Sequence, residues 1–110
     1  MKILDKDFYK IIKPKEVGVK EFLQELESKN ENFRQENLVI DLLKFKELSV
    51  NDLLLFLPLS NQHRSNKRSF VIVNDALNID EVPEEMLVVP TLLEAEDIIQ
   101  MEEIERDLGF

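Results

Sequence analysis

Cysteine and tryptophan are absent from the 110 residues, and glycine (2), proline (4) and histidine (1) are scarce. Each shortage removes a class of chemistry. Without cysteine there is no disulfide, no thiolate zinc site and no thiol nucleophile, which is compatible with a reducing compartment. Gly18 and Gly109 stand far apart, so no glycine-rich phosphate loop can be drawn. A single histidine leaves a histidine-built two-metal hydrolase centre without ligands, and no G-x-S-x-G nucleophile elbow occurs. The expectation is a chain with no catalytic residue, no metal site and no cofactor, hence not an enzyme. Long apolar runs are missing too: the longest, Leu53 to Leu57, falls far short of the roughly 20 residues a membrane-spanning helix needs. The opening MKILDKDFYK lacks the apolar centre of a secretory signal. A cytoplasmic protein with no membrane span is expected.

Positive charge is also in deficit. A net charge of -9 argues against a nucleic-acid partner, because phosphate backbones are bound by clustered Lys and Arg. The imbalance is local. Residues 1–79 hold 13 basic and 12 acidic residues, whereas residues 80–110 hold 1 basic and 11 acidic. What is present is a globular composition, 44% hydrophobic and 34% charged, unlike that of disordered chains. A chain of this length suits one domain, 1–110, able to bury about two-thirds of its unfolded surface.

The organising stretch is Asn37 to Leu57, NLVIDLLKFKELSVNDLLLFL. Leu38 to Leu43 is apolar apart from Asp41, the pattern of a strand covered on both faces. Ser49 followed by Asp52 is a capping box with Asp in place of Glu, so a helix starts near Val50. That helix is apolar almost all round through Leu59, with Pro58 expected to kink or break it. Before this stretch, Lys2 to Leu4 and Phe8 to Lys13 read as a hairpin closed by Pro14. Val19, Phe22, Leu23 and Leu26 then trace an amphipathic helix. After it, polar Ser60 to Ser69 closes the second helix, Phe70 to Val73 and Leu87 to Val89 read as strands, and a short acidic turn surrounds Pro83. Thr91 with Glu94 forms a second capping box, opening a last helix through Leu92, Ala95, Ile98 or Ile99, and Glu102, its apolar face broadened by Met101 and Ile104. The order β-β-α-β-α-β-(short α)-β-α implies an α/β fold with a mixed, mostly parallel sheet of about five strands packed with helices.

With Val39-Ile40-Asp41-Leu42 in the third strand, Ser49-Val50-Asn51-Asp52 opening an apolar helix, and the closing Pro90-Thr91-Leu92-Leu93-Glu94-Ala95, the chain resembles the STAS domain family of bacterial anti-sigma factor antagonists. The resemblance covers nearly the whole length and is carried by topology. It implies a STAS-like fold and a non-enzymatic regulatory module. Its partner would be a protein such as an anti-sigma factor or a kinase-like regulator, and the docking loop is often switched by serine phosphorylation. By ungapped spacing from Asp41, the phosphorylated position falls on Val50, with Ser49 where the family has Asp and Asp52 where it has Gly. Ser49 stands as the substitute acceptor or simply as a helix cap.

Partner binding is therefore expected at Ser49, Val50, Asn51 and Asp52. An alternative is a small-ligand or nucleotide-binding module using Asp41, Asn74 and Thr91, which follow parallel strands at the sheet end where ligands bind; these residue types also serve as ordinary turn and cap residues. His63, beside Arg64, reads as a solvated helix end or a small anion patch. Oligomeric state is left open.

Overall fold

The computed structural model describes residues 1–109. Five strands form one sheet in the order β1-β2-β3-β4-β5: β1 Lys2–Asp5, β2 Lys10–Lys13, β3 Leu38–Asp41, β4 Phe70–Val73 and β5 Leu87–Val89. β1 and β2 are antiparallel, and every later neighbour is parallel. The helices are α1 Val19–Ser28, α2 Val50–Leu54, α3 Leu57–Ser65 and α4 Leu92–Asp107, with 3₁₀ turns at Asn30–Phe33 and Ile79–Glu81. The mixed, mostly parallel sheet expected from the sequence is present. No helix among the described residues is long and apolar enough to cross a membrane.

The strand order explains where the helices lie. The chain steps across the sheet in one direction from β2 to β5, and crossovers of one hand then fall on one face. Phe22, Leu23 and Leu26 of α1, Leu53 of α2, Phe56 in the turn between α2 and α3, and Leu59 of α3 pack with Ile12, Leu38, Ile40, Phe70 and Ile72 in one core. That leaves Ile11, Val39, Val71 and Val73 on the opposite face, and α4 returns beneath the sheet to cover them with Ala95 and Ile99. β3 and β4, covered on both faces, are buried at every position, which is why their sequences do not alternate.

Pro58 breaks the second helix as expected, and its position shows how. The chain turns at Leu55 and Phe56, and Pro58 sits in the first turn of α3, where a missing N–H costs nothing. The polar run from Ser60 does not end this helix, which continues to Ser65. Its end is a Schellman motif: Arg68 N–H donates to His63 O (2.9 Å) and Lys67 N–H to Arg64 O (3.0 Å). Lys67 takes the left-handed position at φ 61° that glycine usually fills. The second strand begins at Lys10 rather than Phe8, and Phe8 stays on the surface. Met101 and Ile104 do not broaden the buried face of α4; both point away from the sheet.

Candidate functional site

The carboxyl ends of β2 to β5 and the loops after them form one pole of the molecule. Asp41 closes β3. It is buried, its Oδ1 accepts Leu43 N–H at 3.0 Å, and its Oδ2 lies 3.9 Å from Lys13 Nζ. Asn74, one residue past β4, is 3% exposed and satisfies four backbone groups. Its Nδ2 donates to Leu42 O (2.9 Å) and Phe45 O (3.0 Å), while its Oδ1 accepts from Ala76 N–H (2.9 Å) and Leu77 N–H (3.2 Å). An amide alone among side chains offers two donors and a two-fold acceptor in one plane, so Asn74 is the clamp that holds the β3–α2 loop against the β4 loop. Lys46 and Asp75 add a surface ion pair at 3.4 Å between the same loops.

That clamp delivers the chain to Ser49. The capping box is complete: Asp52 N–H donates to Ser49 Oγ (3.1 Å) and Ser49 N–H to Asp52 Oδ2 (3.4 Å). Ser49 and Asn51 are exposed, Val50 and Asp52 half-buried. Ser49 Oγ is thus already an acceptor, with a carboxylate as neighbour; a phosphate there would break the cap and face the charge of Asp52. Immediately beyond, Leu53 and Phe56 are fully buried, but Leu54 and Leu55 are 39% and 40% exposed. The sequence marked this helix as apolar all round, and the structure divides it into a buried side and an open one.

Thr91 caps α4 by accepting Glu94 N–H at 3.1 Å. The reciprocal bond from the Glu94 side chain is absent, so the expected second capping box is half formed. Asp41, Asn74 and Thr91 share the pole but do not converge. Two shallow grooves lie here, one lined by Val19, Phe45, Leu48 and Asp52, the other by Asn74, Leu77, Ile79 and Pro90; neither reaches Asp41 or Thr91. All crossovers from β2 to β5 lie on one face, so these strands have no switch point at which adjacent connections part to open a crevice. No cluster of three or more His, Asp or Glu among the described residues is placed to hold a metal ion.

His63 corrects the sequence expectation. It is 1% exposed, packed on Phe70 with ring centroids 5.4 Å apart, and its Nε2 and Nδ1 lie 3.1 and 3.3 Å from the carbonyl oxygens of Phe33 and Leu59. A neutral ring carries one N–H and serves one of these acceptors; burial pushes its pKa down, and the two carbonyls only partly offset this. It joins α3 to the 3₁₀ turn after α1 and offers nothing to an anion.

Sequence reasoning also missed a polar cluster at the opposite pole. Asn37 and Ser69 each precede a strand and become neighbours through the β3–β4 register. Asn37 Oδ1 accepts Ser69 N–H (2.8 Å), and its Nδ2 donates to Glu103 Oε1 (2.7 Å). Arg106 donates to Asn37 Oδ1, Ser69 Oγ and Glu103 Oε1, and Arg64 pairs with Glu102 at 3.2 Å. The Arg106 and Asn37 hydrogen bonds hold the Glu103 carboxyl below its usual range. Every member is paired, so the cluster locks α4 to the sheet. Polar residues just before two parallel strands were the only signal available.

Fold and pole together define a small α/β domain with a five-stranded, mostly parallel sheet, helices on both faces, and an exposed apolar helix side beside a rigid capped loop. No protein-family model matches the chain, and no curated protein matches it.

Proposed function

We propose that this chain is a non-enzymatic regulatory module of the STAS type that docks a protein partner through the pole around Ser49, Val50, Asn51 and Asp52 and the open side of α2. The observation that carries the reading is the pair Leu54 and Leu55, 39% and 40% exposed, next to a loop that Asn74 holds rigid. A preorganised loop bordered by apolar surface binds a protein at low ordering cost. The resemblance to anti-sigma factor antagonists supports an anti-sigma factor or kinase-like regulator as the partner class and the bacterial cytoplasm as its setting. The capping geometry favours constitutive docking over a phosphorylation switch at Ser49.

The rival small-ligand reading has less support, since the candidate residues Asp41, Asn74 and Thr91 share no pocket and Asn74 is saturated by backbone bonds. A photo-crosslinking residue at Asn51, with a second at Gln24 as control, tests the proposal in the native host. A protein captured at Asn51 alone, and lost when Leu54→Gln and Leu55→Gln are introduced, supports it; capture that ignores those substitutions, or none, overturns it. A thermal-shift screen of nucleotides and lipids that stabilises the wild type but not Thr91→Ala would transfer the assignment to the ligand reading.

A further inference from the structure

We propose that the outer face of α4, together with Phe8, is a docking surface for a basic amphipathic helix of a partner protein, separate from the Ser49 pole. A helix that covers one face of a sheet ordinarily turns polar residues outward. α4 turns apolar ones outward as well: Leu93, Met101, Ile104 and the C-cap Leu108 are 68%, 61%, 59% and 66% exposed. At about 100° per residue these four fall within roughly 80° of one another, on the side opposite buried Ile99. Met101, Ile104 and the C-cap Leu108 have the i, i+3, i+7 spacing of a helix-binding seam about 10 Å long, and Leu93 lies on the same side two turns earlier, beyond Asp97. Phe8, 56% exposed, widens the seam: with Ile104, Gln100, Glu103 and Asp107 it lines a groove of about 300 Å³. That is the bottom of the roughly 300–1,000 Å³ range of small-molecule sites, so the groove suits an inserted side chain. Single exposed apolar residues are ordinary, but Met101, Ile104 and Leu108 grouped beside Phe8 form a contiguous patch of the kind that marks an interaction surface.

Charge selects the occupant. The apolar side is bordered by exposed Glu94, Glu105 and Asp107 and carries exposed Asp97 between Leu93 and Met101, and residues 80–110 contain one basic residue, Arg106, already held by Glu103, Asn37 and Ser69. A second copy of this face would set those carboxylates against each other, and an anionic bilayer would be repelled. A helix with an apolar stripe flanked by Lys or Arg satisfies both the seam and its borders. α4 lies on the sheet face opposite α1, α2 and α3, so this proposal does not depend on the one above.

The test uses the full chain and a labelled 18-residue Leu/Lys peptide with leucines at i, i+3, i+4 and i+7, beside a scrambled peptide of identical composition. Fluorescence anisotropy is expected to show at least tenfold tighter binding of the patterned peptide. Met101→Gln with Ile104→Gln, which leaves net charge and core untouched, is expected to weaken it at least tenfold with an unchanged melting temperature; Leu54→Gln with Leu55→Gln is expected to leave it intact. Equal binding of the scrambled peptide, no binding, or indifference to the α4 substitutions overturns the proposal. So does a dimer in sedimentation, or binding to phosphatidylglycerol vesicles, that the same α4 substitutions abolish.

Discussion

Replacing Asn74 by alanine removes four hydrogen bonds at once and decides whether this residue is a structural clamp or a ligand contact. The groups left behind are the carbonyls of Leu42 and Phe45 and the N–H groups of Ala76 and Leu77. Ala76 is exposed and its N–H recovers a water, whereas Leu42 is fully buried and Phe45 and Leu77 are half-buried. An orphaned buried group costs about 1–3 kcal/mol and a rehydrated one much less, so Asn74→Ala is expected to lose about 3 kcal/mol. At roughly 4 °C per kcal/mol for a domain of this size, the melting temperature falls by about 12 °C. Asn74→Asp sharpens the test. Its carboxylate keeps the two accepted bonds but turns an acceptor toward two carbonyl oxygens, so at pH 7 it is expected to be less stable than the alanine variant. Protonation supplies one O–H donor, and the gap between the two variants closes as the pH falls to about 4. Urea denaturation of wild type and both variants at pH 7 and pH 4 reads these differences. A loss below about 1 kcal/mol for Asn74→Ala, against the ~3 expected, or an aspartate variant that tracks the alanine variant at both pH values, would refute the clamp.

Lys67→Gly relieves the left-handed backbone at φ 61°, worth about 1 kcal/mol, against a smaller loss from the freer unfolded chain, so a net gain of about 0.5 kcal/mol is expected in the same denaturation assay. Ser49→Ala removes the accepting half of the α2 capping box and is expected to cost about 1 kcal/mol, read as a lower urea midpoint at unchanged slope. Burial lowers the pKa of His63 in the folded state, while the unfolded chain takes up a proton near pH 6.5. The unfolded state then binds more protons below that value, and stability falls as the pH drops from about 7 toward 5. His63→Gln is expected to flatten this slope in urea midpoints measured across the window; an equal slope in both proteins removes His63 as its source. Glu103, whose carboxyl is held low by Arg106 and Asn37, contributes stability above its unfolded pKa that is lost in more acidic solution, near and below pH 4.5.

Legibility of the fold and of the site divides along one physical line. Strand and helix positions were readable because they rest on local periodicity: the unbroken apolar run at Leu38, the stripe from Val19 to Leu26, the Ser49–Asp52 pair. The cap at Thr91 is half formed where the sequence predicts a full box, because sequence shows that Glu94 is present but not where its side chain points. The polar sequence neighbours of His63 point to a solvated helix end or an anion patch; its neighbours in space are Phe33, Leu59 and Phe70. Pro58 was correctly read as a breaker, yet its seat in the first turn of a new helix depends on the preceding turn at Leu55 and Phe56.

By itself the sequence determined the secondary elements, their order, and with them a mostly parallel sheet, because hydrophobic period and capping chemistry act over a few residues and a helical crossover leaves neighbouring strands little choice of direction. Which apolar residues become core and which become surface was decided only by tertiary structure. Ile99 and Ile104 are the same residue type on one helix, and Leu53 and Leu54 are adjacent; burial separates each pair. The reason is that strands laid in sequential order send their crossovers to one face, and a single helix returning under the other has one side for the sheet and one left over.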